Sequence, residues 1–255
     1  DSMKITNIHN LPESIVRAVA NDPYDKGDAD YSVSDLVNPP RMVHLRQRHD
    51  SELTEDAMDR RWSLFGQFGH LLLERAGYDN ALVEERIYLT MPALEMRVIS
   101  SKSDVYTADG LLIDWKFTKV WSAIYKDQYQ SWEENLNMRA HILRENGWPV
   151  QKLQIVAFYI DWTYSHSLRG GNYPPPIEVI PFPLWPDDLA ADLLRTRLGS
   201  LVATEHMQDH QLPECTDQEV WAKATTYAAM KVGRKSAVRV LDSIGTAVLT
   251  VSQDG

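Results

Sequence analysis

The dipeptide Asp109-Gly110 stands between two runs of strand-forming residues, 96–106 and 111–117. That arrangement admits little besides a tight hairpin, because glycine takes the positive φ such turns need. A third strand-like run, 85–90, precedes the pair. Ahead of them, residues 54–76 carry Leu64, Phe65, Phe68, Leu71 and Leu72 at helical spacing, with Thr54 as the expected cap and Gly77 as the stop. Behind them, 126–145 reads as a helix closed by Asn146-Gly147, and 153–163 as a buried strand. The predicted order is helix, three strands, helix, strand: an α/β chain of the α+β sandwich kind, with a central mixed sheet flanked by helices.

The flanks read as smaller pieces. A helix is expected over 11–21, a turn capped by Ser34 before Pro39-Pro40, and a helix over 41–48. After the core come an edge strand at 177–182, a helix started by Pro186 and running to about 206, and two strands, 227–231 and 236–241, joined at Val232-Gly233. The expected division is an N-terminal helical segment (1–50), a core (51–185), and a C-terminal helix with a small basic hairpin appendage (186–255).

Composition narrows the class. The 255 residues suffice for one sizeable core, and 44% hydrophobic with 24% charged residues is globular rather than disordered. No apolar run approaches the ~20 residues of a membrane span, so no membrane partner is expected, and the lone cysteine fits a reducing cytoplasm. A single cysteine, Cys215, excludes an internal disulfide framework and a cysteine-held iron–sulfur cluster within one chain. The net charge of −10 argues against a protein that coats nucleic acid by bulk positive charge. Locally, Lys223, Lys231, Arg234, Lys235 and Arg239 form a basic stretch without acids, which reads either as a phosphate contact or as a solvated face.

The chemistry concentrates in the hairpin. Residues 111–117 read Leu-Leu-Ile-Asp-Trp-Lys-Phe, and alternation puts Asp114 and Lys116 on one face. Charges in an apolar strand are costly unless paired or bound to metal, and Asp104 across the turn offers a second carboxylate. Converging carboxylates suit a hard cation such as Mg²⁺. A lysine beside them can orient or deprotonate a water and offset charge on a phosphate. His70 and Glu74 stand at i and i+4, where the glutamate would fix the imidazole tautomer.

This arrangement resembles the RecB-type branch of the PD-(D/E)XK nuclease superfamily, especially phage-encoded and recombination-associated exonucleases, over roughly residues 32–162. The resemblance implies a core of order αβββαβ and a Mg²⁺ or Mn²⁺ site made by His70, Asp104, Asp114 and the Trp115 carbonyl. It implies Lys116 as the catalytic lysine, with Asp114 and Asp104 beside it. A Gln-Leu-Asn-x-Tyr-like stretch of relatives is matched by Asn135 to Arg139, with Asn135 in place of the usual glutamine, and Ser101 stands near a usual glycine. The implied partner is single- or double-stranded DNA, with ends, and a recombination protein; the implied location is a cell's cytoplasm, the host's for a phage protein. Lys119, Asn135, Lys231, Arg234 and Lys235 are candidate DNA contacts, and Trp121, Trp132 and Trp148 are candidates for stacking on bases or for packing the core. Three readings stay open: a DNA exonuclease of recombination or repair, a silent nucleic-acid-binding module, and a metal-dependent hydrolase of a small phosphoester. The oligomeric state is left open.

Overall fold

In the computed structural model, which describes residues 3–21, 25–217, 219–220, 222, 224–231 and 233–244, the chain opens with β1 (Lys4–Thr6) and α1 (Glu13–Ala20). β2 (Tyr31–Ser32) runs into α2 (Val33–Leu36), whose start is set by a capping box: the Asp35 N–H donates to Ser32 Oγ and the Ser32 N–H to the Asp35 carboxylate. The cap therefore falls on Ser32 rather than Ser34, because only Ser32 has an acid three residues on that can answer it. α3 (Pro40–His49), β3 (Thr54–Asp56) and α4 (Arg61–Glu74) follow. Thr54 is a strand residue, not the cap of α4: β3 pairs in parallel with β1, and the Asp56 carboxylate accepts from Thr6 Oγ1, the Ile8 N–H and the Met58 N–H, which ties the chain down before α4 begins.

Next come β4 (Ala81–Val83), β5 (Arg86–Met91), β6 (Arg97–Lys102), β7 (Val105–Thr107), β8 (Leu111–Thr118), α5 (Val120–Tyr125), α6 (Tyr129–Glu145), β9 (Lys152–Tyr159), α7 (Tyr164–Ser167), β10 (Ile177–Phe182) and α8 (Asp187–Thr204). One mixed sheet has the order β10-β9-β8-β7-β4, with β8 and β9 parallel and the other neighbours antiparallel. Parallel neighbours need a crossover, supplied by α5 and α6. A second sheet has the order β2-β6-β5. The β7–β8 turn is the expected one: Gly110 has φ +82, and a Cβ there would come within 2.8 Å of the Pro149 carbonyl.

The run 96–106, expected as one strand, is two. It breaks at Ser103-Asp104, with β6 in the smaller sheet and β7 in the larger. Serine and aspartate are poor strand formers, and Asp104 uses its side chain where a continuing strand would have used its backbone. α6 covers one face of the large sheet, where Leu112, Leu153, Ile155 and Ala157 meet Trp132, Leu136 and Ala140. On the other face Ile113 and Trp115 gather Leu73 of α4. α8 packs on α6, burying Leu194, Leu198 and Leu201 against Met138 and Ile142.

The chain divides into two units, Asp1–Leu212 and Pro213–Gly255, so α8 belongs to the first, unlike the expected division at 186. Within the second, β11 (Tyr227–Ala229) pairs antiparallel with β12 (Arg239–Leu241), and Lys231, Arg234 and Lys235 are exposed. Val232 and Lys223 lie outside the described residues. No helix among the described residues is long and apolar enough to cross a membrane.

Candidate metal centre

β8 is longer than the strand beside it. Its pairing with β7 ends at Ile113, while its pairing with β9 continues to Thr118. Asp114, Trp115 and Lys116 are therefore held by β9 on one side and left open on the other. Asp104, at the break before β7, closes that gap: its Oδ2 accepts the Trp115 N–H at 2.5 Å. The Asp104 carboxylate is thereby fixed by the backbone of β8, and both carboxylates are buried. Asp114 shares its face with Leu112, at the edge of the core under α6.

Three cations answer Asp114 and its neighbours. Lys116 Nζ lies 2.6 Å from Asp114 Oδ2, and Arg139 Nη1, from α6, lies 3.4 Å from Oδ1. The same Nη1 donates to the Lys102 carbonyl at 2.7 Å, which pins α6 to the end of β6. Lys102 Nζ lies 2.6 Å from Glu84 Oε2. Glu84 follows β4 with φ +53, and its N–H donates to the Asp104 carbonyl at 3.1 Å, so the chain reversal that carries Glu84 also braces Asp104.

His70 comes from α4. Gly69 lets that helix lie against β8: a Cβ at Gly69 would fall 1.8 Å from the Phe117 ring. The imidazole then meets the Trp115 ring edge-on, with centroids 5.6 Å apart, and its Nδ1 is 3.0 Å from Glu84 Oε1 and 3.6 Å from Asp104 Oδ1. One ligand atom each from His70, Glu84 and Asp104 lies within 4.8 Å of the others. A nitrogen and two carboxylate oxygens form a donor set suited to a divalent ion of the Mg²⁺–Mn²⁺ type, the imidazole favouring Mn²⁺.

The electrostatics agree with such a site. Burial, and then the charge of Asp114, push the Asp104 carboxyl up to about 6. Burial acts on Asp114 in the same direction, but Lys116 and Arg139 outweigh it and hold Asp114 below the usual carboxylate range. Glu84 is also held low: burial opposes ionisation, and the bonds to His70 and Lys102 overcome it. Burial alone would lower His70, yet the Glu84 hydrogen bond and the charges of Asp104, Glu84 and Asp114 raise it. Asp104 and Asp114 thus repel one another in a buried place, a repulsion that a cation relieves.

The centre opens on a cleft of about 580 Å³, whose walls include Gly66, Gln67, Glu74, Arg86, Lys102 and Arg139. Among the residues expected from sequence, His70, Asp104, Asp114 and Lys116 come together here, and Trp115 contributes its N–H and its ring. Glu74 lines the cleft, but the carboxylate on His70 Nδ1 is Glu84, because the i+4 neighbour lies along α4 while Nδ1 points across to the strands. Asn135 is half-buried; in the same stretch Leu136 and Met138 pack in the core, Asn137 holds the Pro183–Trp185 segment, and Arg139 reaches the centre. Lys119 points elsewhere, with Nζ 4.9 Å from the Trp62 ring. Trp132 is buried in the core and Trp121 is exposed.

Sequence reasoning missed Glu84, Lys102 and Arg139. Arg139 left a signal, a lone cation among the apolar residues of a buried helical face; Glu84 and Lys102 left none. A second grouping of possible ligands, His141, Glu145 and Asp187, already has Arg144 3.1 Å from Asp187.

No family model matches the chain, and no curated protein does. Among solved structures it is similar to that of SSO0001, with a TM-score of 0.50 and 16% identity over 76% of this chain and 86% of that one. At that identity the likeness is one of fold, a mixed α/β arrangement.

Proposed function

We propose that this chain is a metal-dependent nuclease of PD-(D/E)XK type that hydrolyses DNA phosphodiester bonds, acting as an exonuclease in recombination or repair. The reading rests chiefly on one observation. Asp104, Asp114 and Lys116 meet His70 and Glu84 where β8 outruns β7, beside a cleft that carries Arg86, Lys102 and Arg139. The order α4, the strands β5 to β8, α6 and β9 is compatible with the αβββαβ core, with the second strand of that core split in two.

His70, Glu84 and Asp104, with Asp114 and the Trp115 carbonyl, would hold Mg²⁺ or Mn²⁺. Bound there, such an ion supplies Lewis acidity for a phosphoryl oxygen and for a water. The protein's own groups do the rest. Asp104 and Asp114 are positioned before substrate arrives, through the Trp115 N–H and through Lys116 and Arg139. Lys116, a third exposed, can swing from Asp114 to orient the attacking water and to offset charge on the phosphate. Arg86 and Lys102 line the approach and favour a polyanion despite the acidic total.

The test is digestion of end-labelled linear and circular DNA, single- and double-stranded, with Mg²⁺, Mn²⁺ or EDTA. Metal-dependent loss of linear DNA, with circles spared and with Asp114→Ala inactive, is the expected result. Cleavage that persists in EDTA, or that Asp114→Ala leaves intact, would overturn the proposal.

A further inference from the structure

Beyond the metal centre, β8 continues through Phe117 and Thr118 to Lys119 and then α5, where a second cavity of about 380 Å³ opens. Its walls include Trp62, Phe117, Thr118, Lys119, Trp121 and Gln128, and Asp127 is the one carboxylate among them. At a rise of about 3.3 Å per residue, Thr118 lies roughly 7 Å along the strand from Lys116. Phe117 joins the two places: it is stacked on Phe158 with centroids 4.8 Å apart and touches the His70 ring at 5.9 Å.

The aromatic groups here are displayed rather than packed. Trp121 is 56% exposed and Tyr125 69%, and the two rings are stacked 5.4 Å apart at 15°. Trp62 is exposed as well, with Lys119 Nζ and Arg61 Cζ each 4.9 Å from its ring. Neither cation has a carboxylate partner among the described residues. Flat exposed rings beside unneutralised cations are the combination that binds unpaired nucleic acid, the rings stacking on bases and the cations meeting phosphates. A small-molecule phosphoester would have no use for two such tryptophans beyond the reacting centre.

We propose that Trp121 and Trp62, with Lys119 and Arg61, form a platform that holds the unpaired bases of a DNA strand next to the metal centre, so that the substrate is a single strand or a duplex end carrying a single-stranded tail. The proposal rests on the nuclease reading for its substrate. Trp121 and Trp62 touch bases and Lys119 a phosphate; the platform sets strand position and takes no part in bond cleavage.

Its test measures binding without cleavage. Fluorescence anisotropy in EDTA compares a labelled blunt duplex with the same duplex carrying an unpaired oligothymidine tail, for the wild type, Trp121→Ala, Trp121→Phe and Trp62→Ala. The wild type should prefer the tailed duplex. Trp121→Ala and Trp62→Ala should lose about tenfold in affinity for it, with blunt-duplex binding unchanged, and Trp121→Phe should retain most of it. Equal binding of both duplexes by the wild type, or alanine variants that bind the tail as the wild type does, would overturn the platform. Tail binding through Trp121 by a protein that cuts no DNA under any metal would remove the nuclease reading and leave the platform standing.

Discussion

Asp104 is buried beside a second carboxylate and is ionised only at a cost, which an ion would remove. In the metal-free protein its carboxyl titrates near 6 rather than near the ordinary carboxylate value, so the folded state holds this proton more tightly than the unfolded chain does. The stability that proton contributes is complete below about pH 4 and is lost as pH rises through about 6. His70, also raised, loses its contribution in the same direction. A dication bound there would compete with both protons, so the rise in Tm produced by Mn²⁺ should be larger at pH 7.5 than at pH 5.5, as differential scanning fluorimetry would show. Asp104→Asn keeps an oxygen for the Trp115 N–H and removes the repulsion. It should raise the metal-free Tm by a few degrees at pH 7.5 and abolish the Mn²⁺-dependent shift, 1 kcal/mol being worth roughly 2–4 °C in a chain this size. Glu84→Gln should weaken Mn²⁺ binding by about 10- to 100-fold in a calorimetric titration, whereas Glu74→Gln should bind nearly as the wild type does. That contrast bears on what a sequence can disclose. Asp114 and Lys116 were legible because charges interrupt an apolar strand, and Asp104 because a hairpin returns it to them. Glu84 was not, because its place depends on β4 pairing with β7, which no local pattern announces.

Helix α4 shows the limit of periodicity at the scale of elements. Its apolar positions repeat as expected, yet Phe65, Phe68, Leu71 and Leu72 are exposed and only Leu73 joins the cluster under β8. A stripe at helical spacing identifies a helix; it does not say which face the rest of the chain covers. The contact that matters for the site is made by the residue without a side chain. Gly69→Ala would drive a methyl group into the Phe117 ring and shift either α4 or β8. It should cost about 1–3 kcal/mol of stability, read as a lowered urea midpoint, and should weaken Mn²⁺ binding by moving His70. The hairpin and β10 were legible because turn chemistry and alternation are local signals. The break between β6 and β7 was not, because Asp104 trades backbone pairing for a side-chain bond to a strand eleven residues on.

At the scale of the molecule, the mixture of helices and strands could be read in advance, while their full order and the grouping of the C-terminal third could not. α8 looked peripheral, yet Leu194, Leu198 and Leu201 are fully buried against α6 and the smaller sheet, a contact visible only once the chain has folded back. A chain ending at Leu212 should therefore unfold in a single cooperative transition and retain its Mn²⁺-dependent rise in Tm. One ending at residue 185 should fail to fold, since each of these leucines is worth about 2–5 kcal/mol when truncated. The measurement that bears most directly on the function is made on Lys116→Ala, with Mn²⁺ binding and the release of nucleotides from end-labelled linear DNA followed on the same preparation beside the wild type. The expected result is that both proteins bind Mn²⁺ and only the wild type degrades DNA. Degradation by Lys116→Ala at the wild-type rate, or Mn²⁺ binding by the wild type with no DNA cleaved, would contradict it.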